Sequence, residues 1–250
     1  MSHSMINKLP GTTQVKSQPL DKFGSLIGTM KNTVNKSIRM ILPIVLLFLF
    51  SYASAQQQQD EPKDAKFYID RGIAYGEKGE YDQAIADFNR ALEVDPESAS
   101  AYYNRGIGYW RKGQRDRAIS DYTKALGVKP KDAEVYYYRG IAYAEKDQYD
   151  QAVDDFTKAL EIDPTLAGAY YYRGIAYTNK GQFDWAIADF NKVLERDPRK
   201  ADAYYNRAIV YYFKKEYDKS WKDVKKAQDL GFKIPSKFLE NLRKASGKQY

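Results

Sequence analysis

Five arginines fall at equal steps along the chain: Arg71, Arg105, Arg139, Arg173 and Arg207, each 34 residues after the last. Each is followed by a small residue, Gly72, Gly106, Gly140, Gly174 and Ala208. Pro96, Pro130, Pro164 and Pro198 keep the same step. A chain that repeats one line in this way is not building a single unrepeated core. A period of this length marks one supersecondary unit that cannot bury its own apolar face and must stack on copies of itself. The expected units are 65–98, 99–132, 133–166, 167–200 and 201–232.

Within the first unit, Tyr68, Gly72 and Tyr75 are spaced i, i+4, i+7, one face of a helix. Gly79 can end that helix in the left-handed conformation. Ala84, Phe88 and Ala91 mark the inner face of a second helix, and Pro96 closes it. Gly72 and Ala84 are expected to be small because two helix backbones approach there, with Phe88 and Tyr75 filling the space around them. Asp147 and Lys215 stand where the other units have the turn glycine, so looser turns are expected at those two places. After the fifth unit, residues 233–250 read as a final helix and tail. "IPSKFLENLRKA", Ile234 to Ala245, carries an apolar stripe of Phe238, Leu239 and Leu242, with Ser236 as the expected cap.

These residues resemble the tetratricopeptide repeat. That pattern has an aromatic at position four, Gly at eight and Tyr at eleven, then Ala, an aromatic, Ala and Pro at twenty, twenty-four, twenty-seven and thirty-two. The third unit matches it with Tyr136, Gly140, Tyr143, Ala152, Phe156, Ala159 and Pro164. Val193 departs from it in the fourth unit, and Ala208, Ser220, Val224 and Phe232 in the fifth. The resemblance implies an all-α fold, a right-handed superhelical solenoid of five helix-turn-helix repeats with a C-terminal capping helix. It also implies a concave groove lined by the first helix of each unit.

Ahead of the repeats the composition changes. Residues 1–55 hold six basic residues and one acidic one, five of the formal +7, which leaves +2 for the rest. A nucleic-acid binder would carry its positive charge on the folded part, so no nucleic-acid partner is expected. "ILPIVLLFLF", residues 41–50, follows Lys31, Lys36 and Arg39 and precedes "ASA" at Ala53–Ala55. A basic region, an apolar run and small residues at that spacing describe a signal peptide cleaved after Ala55. Met30 gives a more ordinary start for it than Met1. As a helix, residues 41–53 would span about 20 Å against a hydrocarbon core of about 30 Å, so stable membrane insertion is not expected. "QQQQDEPKD", residues 56–64, reads as a flexible linker. The expected location is exported, periplasmic or extracellular, with an anchor formed by an uncleaved leader as the rival.

The sequence has no cysteine and one histidine, His3. Thiolate metal sites, Cys nucleophiles and His-based triads are thereby excluded, and no catalytic residue, metal or cofactor is expected. Each unit instead repeats an Arg at position seven and an Asp at twenty-three: Arg71/Asp87, Arg105/Asp121, Arg139/Asp155, Arg173/Asp189 and Arg207/Asp223. They read as a ladder of partly buried ion pairs tying the two helices of a unit, or adjacent units, more than as a grip on acidic partners.

The resemblance directs positions two, five, six, nine, twelve and thirteen into the groove. There the chain places Tyr103, Tyr137, Tyr171 and Tyr205 at five, Asn104, Tyr138, Tyr172 and Asn206 at six, and Trp110, Thr178 and Tyr212 at twelve. The isoleucines at nine read as packing. Tyr and Trp offer rigid contact area at low entropic cost, which suits a binding surface. Some relatives clamp acidic chaperone tails with Lys, Asn and Arg at groove positions. Here Ile69, Ile73, Glu134 and Tyr138 occupy all but one of them, and that role does not carry over. The expected function is a non-catalytic scaffold that binds a protein or peptide segment. The competing expectation is a self-assembling subunit whose end faces or concave face stack on another copy.

Overall fold

The computed structural model describes residues 43, 45–49 and 64–248. Of the expected leader only 43 and 45–49 are described, and these are helical. The cleavage point after Ala55 and the linker through residue 63 lie outside the described residues. Among those described, no helix is long and apolar enough to cross a membrane.

From residue 64 onward the described chain is entirely helical. Five hairpins follow one another: α1 (Ala65–Glu77) with α2 (Tyr81–Val94), α3 (Ala99–Arg111) with α4 (Arg115–Val128), α5 (Ala133–Ala144) with α6 (Tyr149–Ile162), α7 (Ala167–Asn179) with α8 (Phe183–Arg196), and α9 (Ala201–Phe213) with α10 (Tyr217–Asp229). A last helix, α11 (Ser236–Ser246), follows. Each helix packs on the next in sequence, and each first helix also touches the first helix of the following unit. Second helices make no mutual packing of comparable extent, so the stack bends with the first helices on the inside.

The turns inside the hairpins share one geometry. Gly79 has φ 78°, and the Glu80 amide donates back to the Tyr75 carbonyl at 2.9 Å. Asp147 and Lys215 adopt the same left-handed conformation, φ 57° and 62°. Their following amides close on Tyr143 and Tyr211 at 3.0 and 2.8 Å. The expectation of looser turns is therefore corrected: packing on both sides fixes the turn, and these two residues carry strain that glycine would not. The expected cap at Ser236 is also corrected. Pro235 holds the N-cap position and Ser236 is the first helical residue, with no side-chain capping bond.

The small residue at position eight serves a neighbouring ring. A Cβ at Gly72, Gly106, Gly140 or Gly174 would lie 2.6, 2.6, 2.8 or 3.0 Å from a ring carbon of Phe88, Tyr122, Phe156 or Phe190. Each ring from the second helix sits in the notch left by the missing side chain. In the fifth unit Ala208 faces the smaller Val224, and the buried Ser220 hydroxyl donates to the Ala208 carbonyl at 2.7 Å.

Tyr122 differs from its counterparts by a hydroxyl that is buried with no hydrogen-bond partner. A buried orphan of this kind costs about 1–3 kcal/mol. Tyr122→Phe is thus expected to raise stability by about 1 kcal/mol or more in urea unfolding, and a destabilised variant would refute the assignment.

The arginine at seven binds three helices together. Arg139 donates Nε and Nη2 to Asp155 at 2.7 and 2.8 Å within its own unit. Its Nη1 donates to Thr123 Oγ1 of the preceding unit at 3.0 Å. Arg105, Arg173 and Arg207 repeat this arrangement, reaching back to Asn89, Thr157 and Asn191. Both structural alternatives for the ladder hold at once. For Asp189 burial pushes the carboxyl up even with Arg173 against it.

Candidate functional site

The inner face carries a chain of ring contacts that passes from unit to unit. Tyr103 meets Tyr138 at 5.9 Å between centroids, and Tyr137 meets Tyr172 at 5.9 Å, both edge to face. The Asn206 amide donates to the Tyr171 hydroxyl at 2.8 Å. Tyr205 lies 5.0 Å from Phe232 and 5.5 Å from Phe238. Position five of one unit thus leans on position six of the next, and the last unit leans on the capping segment. Edge-to-face pairs add about 0.5–1.5 kcal/mol beyond their buried area.

All ten residues assigned to the groove, Tyr103, Asn104, Trp110, Tyr137, Tyr138, Tyr171, Tyr172, Tyr205, Asn206 and Tyr212, are half-buried. Burial pushes the Tyr137 and Tyr171 phenols up to about 12, with the Asp202 carboxylate adding to the effect at Tyr171. Tyr103 is raised further, first by burial and then by Glu134. These phenols stay neutral donors across the physiological range. Tyr212 packs on Phe238 at 5.7 Å, so the groove ends under α11. Asn104 turns back on its own helix, donating to the Ser100 carbonyl at 2.9 Å.

Position two is the element that the ring pattern did not reveal. Glu134 faces the Tyr103 hydroxyl and Asp202 faces that of Tyr171. Between them Gly168 leaves space, since a Cβ there would lie 2.8 Å from the Tyr137 hydroxyl. Asp202 Oδ1 is buried without a hydrogen-bond partner. A second missed group surrounds Trp110. Its indole donates to Glu145 Oε2 at 2.8 Å, and Glu145 in turn pairs with Arg115. The 34-residue register would have located these positions, but their residue types vary from unit to unit.

The arrangement presents rigid aromatic edges, neutral phenols and carboxylates along one face, Asp202 among them paired with Lys200 at 3.4 Å. It offers no acid and base converging on a common point. Among the described residues no three or more His, Asp or Glu cluster as a metal-ligating group. Away from these positions Trp185 is exposed at 65%, and Phe213, exposed at 54%, stacks on Phe183 at 5.8 Å.

Family models described as TPR repeat and tetratricopeptide repeat match residues 72–113, 109–147, 133–166, 167–200 and 190–222. A comparison with curated proteins finds no match. Among solved structures, the chain is similar to YrrB, described as a TPR protein with an unusual peptide-binding site. That likeness has 26% identity and a TM-score of 0.65, over 78% of this chain and 97% of that one. It is also similar to MamA, at 29% identity and a TM-score of 0.62, over 64% of this chain and 94% of that one. Similarity to pilF of Pseudomonas aeruginosa, at 22% identity and a TM-score of 0.63 over 73% and 84% of the two chains, concerns the fold alone.

Proposed function

This chain belongs to the tetratricopeptide repeat family, whose members serve as protein–protein interaction scaffolds, and on that premise we propose that it binds an extended peptide or protein segment along its tyrosine-lined inner face. The observation that carries this reading is the row of half-buried rings from Tyr103 to Tyr205, held in place by the next unit and still presenting one edge outward. Rings fixed in this way lose little entropy when a partner docks. The peptide-binding site of the similar YrrB supports the reading. Binding of this kind asks for no chemistry from the groove, and we read the protein as non-catalytic.

We further read residues 1–55 as an export leader, which places the scaffold in the cell envelope and makes Gln56 the first residue of the recovered protein.

A displayed library of random peptides tests the groove. Wild-type protein is expected to enrich a common motif. Tyr137→Ala/Tyr171→Ala is expected to bind it at least about 30-fold more weakly, because one aromatic hot spot is worth about 2 kcal/mol. Equal affinity for both proteins would remove the groove from the account.

A further inference from the structure

The ring row lapses at its first junction. Where the third and fourth units place Tyr138 and Tyr172 at position six, the second unit places Asn104, folded back on Ser100. Where the second unit places Trp110 at position twelve, the first places Gly76, and a Cβ there would meet nothing within 4 Å. The result is a hollow of about 240 Å³ between α1 and α3. Gly72, Gly76, Ala84 and Phe88 line one side of it, and Asn104 and Ile107 the other. Glu77 and Arg111 also line it.

The molecule itself shows what fills this place elsewhere. One junction further along, Tyr138 leans on Tyr122 at 6.5 Å, and at the next Tyr172 stacks on Phe156 at 6.2 Å and 21°. Phe88 is the counterpart of those two buried rings and lies over Gly72 as they lie over Gly106 and Gly140. The first junction keeps the aromatic floor and lacks the ring that belongs on it.

From this geometry we infer that the hollow is an anchor pocket for one aromatic side chain of the bound segment, which enters where position six supplies a tyrosine in the third and fourth units. The inference rests on the groove reading and adds to it a place and a chemical class. A phenyl or phenol ring would cover Phe88, exclude water from the apolar walls and leave its edge near Glu77 and Arg111.

4-Methylphenol is the probe, titrated into isotope-labelled full chain and followed by amide chemical shifts. Saturable shifts at Gly76, Ile107 and Gly108 in the millimolar range are expected. Asn104→Tyr supplies the missing ring from within, and should abolish those shifts while raising Tm. Gly76→Leu fills the same space from the other wall and should abolish them too, so the test survives if one variant folds poorly. Cyclohexylmethanol, similar in size and not aromatic, is expected to bind at least fivefold more weakly. The inference is overturned by any of three results: no saturable shift at those amides, shifts that persist in both variants, or equal binding of the two probes. The titration reads the pocket alone, whereas the peptide library reads the groove, so the two readings can fail separately.

Discussion

Replacing Asp155 with alanine is expected to lower the stability of the folded chain by about 3 kcal/mol. Asp155 is 3% exposed and accepts both bonds of the Arg139 fork. The Arg139 side chain is 14% exposed and lies between Tyr136 and Tyr143, 5.5 and 5.9 Å from the two ring centroids. Without Asp155 the guanidinium keeps its charge, because arginine does not deprotonate in proteins. It would retain one neutral bond, to Thr123. Breaking one side of a buried pair costs about 3–5 kcal/mol, and the residual exposure of Arg139 argues for the lower end. Position in the stack grades the effect. Arg71 has no preceding unit to reach, and its side chain is 34% exposed, so Asp87→Ala should cost clearly less. A double replacement, Arg139→Met/Asp155→Leu, should recover most of the loss, since apolar groups of similar volume often substitute for a buried pair without penalty. Thermal and urea unfolding of the four proteins, followed by circular dichroism, checks the order. An unchanged midpoint for Asp155→Ala would remove the ladder from the account of the fold.

The ladder also shows what can be read from a sequence of this kind. The Arg and Asp of each unit recur as identical letters at a fixed interval, and their pairing is legible from that alone. The third bond is not. Its acceptors, Asn89, Thr123, Thr157 and Asn191, are of two residue types that share only a side-chain oxygen in the right place. Repetition of a chemical role under changing letters hides it from a pattern of letters. The turns fail for the opposite reason. Glycine is the natural occupant of a left-handed position, so its absence at Asp147 and Lys215 suggests a different turn. Packing of the flanking helices imposes the conformation regardless of the residue. Ser236 belongs to the same class: a good capping residue is displaced one step into the helix by the backbone of Pro235.

In the groove, sequence register lines the tyrosines up from unit to unit but says nothing of what each packs against. What each one packs against is set by position six of the following unit. Tyr103 and Tyr137 each lie against a ring there, while Tyr171 faces Asn206. The same dependence explains why the hollow at the first junction has no signature of its own. It arises from two absences, a side chain at Gly76 and a ring at Asn104, and an absence becomes visible only when the neighbouring units are laid over one another in space.

Exchanging Gly140 for alanine is expected to change sign in its effect on stability according to what stands at position 156. In the native chain an added Cβ would lie 2.8 Å from the nearest Phe156 ring carbon, and the ring is fully buried with no room to retreat. Overpacking of this kind costs about 1–3 kcal/mol, partly offset by a helix propensity about 1 kcal/mol better for alanine than for glycine. The net loss should be about 1 kcal/mol. Phe156→Ala alone should cost about 3–5 kcal/mol, because it opens a cavity between α5 and α6 that the rigid hairpin cannot close. In that background the obstacle is gone. The Gly140→Ala methyl then fills part of the void and keeps its propensity advantage, so it should stabilise by about 1 kcal/mol. The two changes are therefore coupled by about 2 kcal/mol, as expected for residues in direct contact. A double-mutant cycle in urea measures that coupling. If Gly140→Ala has the same sign and size with and without the ring, the glycine is not a seat for Phe156, and the shared notch-and-ring contact proposed for the first four hairpins has to be abandoned.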